Sequence, residues 1–171
     1  MIYAFGSSVA LALVMTFGDF LWAAMQIRYR VANGVAHGAA VCLCLGLAIG
    51  IRAGKPLPAA AAGLVVGVLG AATFYVLVPS IGWLALFPAW MLLWILFALL
   101  QHWLARRETA ATALGRGAAA ALLSGAAFYL VSGIWTREHG APDLARHLAS
   151  WTFAFLPGFV CLFWRRDAVE A

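Results

Sequence analysis

Two ionisable side chains, Asp19 and His37, lie inside long apolar stretches and are the first candidates for chemistry in this chain. Asp19 interrupts one apolar segment and His37 lies in the next, with the basic residues Arg28 and Arg30 between them. A charge within a membrane span costs about 3 kcal/mol or more, so it is seldom there without a partner or a function. A carboxylate near an imidazole can hydrogen-bond the head of a ligand or relay a proton.

Further polar side chains are placed to join Asp19 and His37 in one layer. Asp19, Trp22 and Gln26 follow one another at i, i+3 and i+7, which makes a single stripe on a helix. Tyr75 and Tyr129 lie within several ångströms of the depth of Asp19, counted from loops on the same side of a membrane. The residues predicted to bind a ligand are therefore Asp19, Trp22, Gln26, His37, Tyr75 and Tyr129.

A structural role is the alternative for this layer. Asp19 and His37 can form a clasp between neighbouring helices, or Asp19 can reach the arginines of the connecting loop. Signals for catalysis are missing: Ser7 and Ser8 have no base in register, and the histidines lack ligand neighbours at metal-binding spacing. No enzyme activity, metal or cofactor is expected.

The composition is that of a membrane protein. Of the 171 residues, 65% are hydrophobic and only 10% are charged, and the mean hydropathy is +0.96. Soluble domains carry roughly 25% charged residues. The net charge of +5 comes from short basic runs at the ends of apolar segments, so nucleic acid is not expected as a partner. The three cysteines, Cys42, Cys44 and Cys161, lie in apolar segments and are interpreted as small hydrophobic residues.

Six apolar segments approach the roughly 20 residues that a membrane-spanning helix needs. The sequence therefore predicts an all-α fold, a bundle of six transmembrane helices that forms a single domain over residues 1–171. The predicted spans are Ile2 to Gln26, Val31 to Ile51, Leu57 to Pro79, Trp83 to Leu104, Ala110 to Trp135 and Leu148 to Trp164.

The basic residues predict the orientation of this bundle. Four arginines lie in the odd-numbered loops, against seven basic residues in the even-numbered loops and at the C-terminus. Basic residues concentrate on the cytoplasmic side, so both termini are expected in the cytoplasm. The abundance of arginine and alanine indicates a GC-rich bacterium, and the expected location is its inner (cell) membrane.

Glycines recur at four-residue spacing in the second and third segments, at Gly34 and Gly38, Gly46 and Gly50, and Gly63 and Gly67. Small residues at this spacing allow helices to approach closely in a bilayer. Helices two and three are therefore predicted to pack tightly.

Several local motifs resemble those of the insulin-induced gene (INSIG) protein family. Gln26, Ile27 and Arg28 are similar to the polar exit of that family's first helix. The residues that close the second span and precede the last helix are also similar: Gly54, Lys55 and Pro56, then Pro142 and Asp143, then Ser150 and Trp151. The chain looks like a bacterial-type homologue, and the similarity of span lengths covers most of it.

The resemblance implies a six-helix bundle with a lipid or sterol pocket among its helices. The expected function is therefore non-enzymatic binding of a diacylglycerol-like or sterol-like ligand, which would regulate a membrane-protein partner. A small proton-coupled transporter, channel or membrane enzyme that uses Asp19 and His37 as a relay is the alternative, with activity that depends on pH. A subunit that packs against a larger partner and a homo-oligomer are also left open.

Overall fold

The computed structural model describes residues 1–25, 30–106, 108–132 and 143–164, and of Trp22 and Arg30 it describes the backbone alone. Within these ranges the chain forms six α-helices and one 3-10 turn, Gly82–Ala85, and contains no strand. The helices are α1 (Ile2–Met25), α2 (Arg30–Ala53), α3 (Pro56–Ile81), α4 (Leu86–Ala105), α5 (Ala110–Ser132) and α6 (Leu144–Phe163).

Four helical stretches are long and apolar enough to cross a membrane: Ile2–Met25, Val31–Ala53, Pro56–Ala105 and Ala110–Ser132. The prediction of an all-α membrane protein is thereby confirmed. The longest stretch contains both α3 and α4, and α6 is not among the four. The count of six membrane spans, the type of membrane and the side on which the termini lie stay predictions.

Where the structure describes both, the helix ends fall within three residues of the predicted ones, and the predicted ends at Gln26 and Trp135 lie outside the described residues. The exception is α6, which begins at Leu144, four residues before the predicted start at Leu148. Asp143 is the reason, because its side chain accepts a hydrogen bond from the backbone N–H of Arg146 at 3.1 Å. Such an N-cap satisfies one of the N–H groups that a helix leaves unpaired at its start. The added turn brings His147 into the helix.

The helices pack side by side in a closed order. α1 packs mainly against α6, α6 against α5, α5 against α4, α4 against α3, and α3 against α2. α2 and α1 complete the ring, but they touch each other far less than α2 touches α3. The arrangement leaves a cavity inside the ring and an open groove at the seam between α1 and α2.

The closest pair is α2 and α3, and its glycines explain why. A Cβ atom added at Gly63 would overlap the carbonyl oxygen of Cys42, and one added at Gly67 would overlap that of Gly38. The two backbones are therefore in direct contact, as the glycine spacing predicts. The tight packing of these two helices is confirmed.

Two polar side chains hold the end of α6. Gln101 of α4 donates through Nε2 to the carbonyl oxygen of Leu162 at 2.9 Å, and Arg52 of α2 donates through Nη2 to that of Phe163 at 3.2 Å. The last carbonyls of a helix have no partner within the helix. These two contacts therefore fix the C-terminal end of α6 against α2 and α4.

Candidate functional site

The carboxylate of Asp19 lies at the meeting point of three helices. Its Oδ2 atom accepts hydrogen bonds from two groups of α6, the Nε2 atom of His147 at 2.8 Å and the indole Nε1 of Trp151 at 2.9 Å. Its Oδ1 atom lies 3.4 Å from Nε2 of His37 on α2. A carboxylate can only accept hydrogen bonds, so His147 donates through Nε2. We refer to Asp19, His37, His147 and Trp151 as the carboxylate cluster.

The spacing of these residues along their helices brings their side chains together. His147 and Trp151 are four residues apart on α6, so both lie on the face that packs against α1. The ring of His37 lies against Gly18 of α1: a Cβ added at Gly18 would be 3.6 Å from the Cε1 atom of His37. The side chains of Asp19 and His37 keep 29% and 25% of their surface exposed, so the cluster is not sealed from its surroundings.

A cavity of about 240 Å³ lies inside the ring of helices, next to the cluster. Every helix contributes to its wall, and most of the wall is apolar. The apolar contributors include Met15 of α1, Phe74 of α3, Trp90 of α4, Phe128 of α5 and Phe155 of α6. The wall also carries His37, Tyr75 and the indole of Trp151, whose N–H donates to Asp19, so the cavity has a polar end within an apolar body.

Tyr75 is placed at this polar end by a glycine on the facing helix. The hydroxyl of Tyr75 lies where a side chain at Gly34 would begin, so any residue larger than glycine at position 34 would displace it. Gly34 and His37 are one turn apart on α2 and both line the cavity. The phenol and the imidazole are therefore neighbours on one part of the wall.

The predicted site residues divide into four groups. His37 and Tyr75 line the cavity, and the predicted pairing of Asp19 with His37 is present. Asp19 itself lies behind the wall and reaches the cavity through His37 and Trp151. Tyr129 is not among the lining residues, and its hydroxyl donates to the carbonyl oxygen of Trp83 at 2.7 Å. Gln26 and the side chain of Trp22 lie outside the part of the chain that the structure describes.

His147 and Trp151 are the members of the cluster that sequence reasoning missed. The predicted sixth span begins after His147, which assigns that histidine to a loop, and Trp151 is not among the residues predicted to bind a ligand. A usable signal precedes them, because Asp143 is a typical N-cap residue. A helix that begins at residue 144 places His147 and Trp151 on one face.

The cluster provides hydrogen bonding and charge, and two imidazoles on one carboxylate can pass a proton between them. Residues 1–25, 30–106, 108–132 and 143–164 hold no group of three His, Cys, Asp or Glu side chains arranged for a metal ion. Asp19 also lies beside His37, with 3.4 Å between Oδ1 and Nε2, and this contact restrains the position of the imidazole ring. The cavity then faces an imidazole of defined orientation.

Replacement of Asp143 by alanine is expected to lower the free energy of unfolding by about 1 kcal/mol, because the N-cap of α6 is lost. Fraying of the first turn would also loosen His147, which bonds Asp19 from that turn. Chemical unfolding of the purified protein measures the loss. Asp143→Ser retains a capping oxygen and should unfold as the wild type does, and equal losses in both variants would contradict the capping role.

No family model, no curated protein and no solved structure matches this chain.

Proposed function

We propose that this protein is a non-enzymatic integral membrane protein that binds one amphipathic lipid in the cavity inside its ring of helices. The lipid's hydroxyl would lie at the polar end, within reach of His37 and Tyr75, and its apolar part would lie among the aromatic and small residues of the wall. One observation carries the proposal: His37, next to Asp19, lies with Tyr75 on the wall of a cavity that is mostly apolar. Ligand sites combine an apolar lining with a few convergent polar groups in this way.

The size of the cavity favours a chain-like ligand. Its volume of about 240 Å³ is below the roughly 300 to 1,000 Å³ typical of sites that enclose a drug-sized molecule. A diacylglycerol-like lipid meets this limit, since its glycerol head and the start of one chain can lie inside while the remainder extends between helices into the bilayer. A sterol-like ligand requires the helices to move apart.

The proposal includes six membrane spans. α3 and α4 have 26 and 20 residues and are joined by a tight turn, and α6 also has 20 residues, about the number that one crossing needs. With both termini in the cytoplasm of a bacterial cell, the protein would be an INSIG-like bundle. Binding of the lipid would change the contacts that the bundle makes with a membrane-protein partner or with a second copy.

Filling the cavity tests the proposal. A Cβ added at Gly70 has the carbonyl oxygen of Ala89 as its nearest neighbour at 3.9 Å, so a larger side chain can enter the cavity without overlapping backbone. We expect one diacylglycerol molecule per chain in the wild type after mild detergent purification, and at least a tenfold loss of it in Gly70→Leu, because the side chain occupies the ligand's volume. Native mass spectrometry with added diacylglycerol measures the retained lipid.

Gly115→Leu is the matched control, because Gly115 is exposed on α5 and a Cβ added there meets nothing within 4 Å. The control should retain the lipid. Circular dichroism and gel filtration establish that each variant is folded. A folded Gly70→Leu protein that binds diacylglycerol as the wild type does would refute the proposed site.

The second candidate function is proton-coupled transport, which the cluster favours because Asp19 bridges the imidazoles of His37 and His147. A relay of this kind needs a proton path across the bundle and depends on pH in the range where histidines titrate. Flux measurements in proteoliposomes between pH 5 and pH 8 distinguish the two functions. Lipid retention without flux supports the binding protein, and flux that disappears in Asp19→Asn supports transport.

A further inference from the structure

A second apolar space lies on the outer side of the bundle, at the seam where α1 and α2 touch least. This groove has a volume of about 490 Å³ and is separate from the central cavity. Its walls are formed by the first half of α1 and the second half of α2. The lining residues of α1 that keep it open are small, Gly6, Ser7 and Ala10, and a Cβ added at Gly6 meets nothing within 4 Å.

The groove opens beside a cation. Arg52 follows the lining residue Ile51 in the last turn of α2, and its guanidinium carbon lies 5.7 Å from the ring centre of Tyr3, which also lines the groove. The Arg52 side chain is kept in place by its hydrogen bond to the carbonyl of Phe163 and by the ring of Phe163 at 4.7 Å. Tyr3 is fixed as well, through a hydrogen bond from its hydroxyl to the carbonyl oxygen of Ala48.

The length of the groove corresponds to one leaflet of a bilayer. Its lining on α1 runs from Ile2 to Val14, about 18 Å at 1.5 Å per residue. One leaflet contributes about 15 Å of hydrocarbon. Since Arg52 lies at the end where α1 begins and α2 ends, a lipid chain in the groove would have its phosphate at the level of that guanidinium.

We propose that the groove between α1 and α2 is a binding site for one anionic phospholipid, with an acyl chain along Gly6 and Ala10 and the phosphate on Arg52. Guanidinium groups pair well with phosphate oxygens, and basic residues between membrane helices bind anionic lipid head groups. A packed helix of another protein fits less well, because the groove ends near the middle of α1 and does not follow the whole span. The site differs from the central cavity in location and in the charge of its ligand.

The test uses the full-length protein in mild detergent and two probes with the same acyl chains, phosphatidylglycerol and diacylglycerol. Native mass spectrometry of the wild type should show one phosphatidylglycerol per chain in the groove.

Gly6→Leu fills the groove and should abolish this retention while diacylglycerol in the central cavity is kept. Arg52→Gln should weaken phosphatidylglycerol binding about tenfold, since one charge-assisted contact to the phosphate is lost, and Arg52→Lys should restore part of it.

Two controls make the result specific. Gly115→Leu places the same side chain at an exposed glycine elsewhere, and Gly70→Leu fills the central cavity, so both should retain phosphatidylglycerol. If Gly6→Leu does not fold, Ala10→Phe fills the same groove from the next turn. Phosphatidylglycerol retention that is equal in the wild type and a folded groove-filling variant overturns the proposal. The proposal is also overturned if the wild type shows a dimer that a groove-filling variant lacks while both retain the same amount of phosphatidylglycerol, since the groove would then hold a second copy of the chain.

Discussion

Replacement of Asp19 by leucine is expected to lower the free energy of unfolding by about 3 kcal/mol and to abolish lipid retention in the central cavity. The carboxylate is the common partner of His37, His147 and Trp151, and it joins α1 to α2 and α6. Removal of one partner from such a cluster leaves polar groups without their hydrogen bonds, which costs more than the net value of one hydrogen bond. The partial exposure of Asp19, at 29% of its side chain, keeps the loss below that of a fully buried pair.

Unfolding in mixed micelles measures the stability, and native mass spectrometry measures the lipid. Asp19→Asn should lose less than Asp19→Leu, because the amide retains one oxygen that can accept a hydrogen bond. Glu108→Gln is the matched control for Asp19→Asn, since it makes the same carboxylate-to-amide change at a side chain that has one ionic partner, Arg116, and lies outside the cluster. A stability change no larger in Asp19→Leu than in this control would show that the cluster does not hold the helices together.

Variants of the two histidines distinguish an effect on stability from an effect on lipid binding within the same experiment. His37 lines the cavity, whereas His147 contacts Asp19 from the other side and is not a lining residue. His147→Gln should therefore reduce stability with little change in lipid retention, and His37→Gln should reduce both. If His37→Gln and His147→Gln changed lipid retention equally, the cluster would act only as a clasp between helices.

Replacement of Gly63 by alanine is expected to lower the free energy of unfolding by about 2 kcal/mol. The added Cβ would overlap the carbonyl oxygen of Cys42 and lie 3.1 Å from the Cα of Gly46, so it meets backbone atoms that cannot rotate away. α2 and α3 would have to separate, and overpacking of this kind costs about 1 to 3 kcal/mol. The same unfolding measurement in mixed micelles reports the change.

Gly115→Ala is the control for this substitution, because nothing lies within 4 Å of the added Cβ. Alanine is favoured over glycine in a helix by about 0.5 to 1 kcal/mol, so Gly115→Ala should stabilise the protein. The two substitutions are chemically identical and should have opposite signs. A Gly63→Ala protein that is also stabilised would contradict the direct backbone contact between α2 and α3.

The sequence was most informative where a property depends on neighbouring residues along the chain. Composition and long apolar runs predict an all-α membrane protein, because a bilayer requires each crossing segment to satisfy its own backbone hydrogen bonds. Glycine spacing predicts the packing of α2 on α3, since residues four apart lie on one helix face. The depth of Asp19 and His37 follows from counting along helices of constant rise.

Helix ends were harder to predict, and α6 shows why this mattered for the site. Its start depends on whether the side chain of Asp143 caps the helix, which hydropathy does not register. The four residues before the predicted start carry His147, which the shorter helix excludes. The aspartate at position 143 therefore marks a helix start that the apolar pattern does not show.

The sequence by itself determined that the chain is helical and membrane-bound, and that Asp19 and His37 lie at one depth. Only the tertiary structure decided that His147 and Trp151 complete the cluster, that Tyr75 meets the cavity while Tyr129 bonds Trp83, and that Arg52 lies at the mouth of a groove. The physical reason is that a helix specifies which residues share its own face, whereas the rotation and order of packed helices depend on contacts between residues far apart in the chain. His147 is 128 positions from Asp19, and no local pattern joins them.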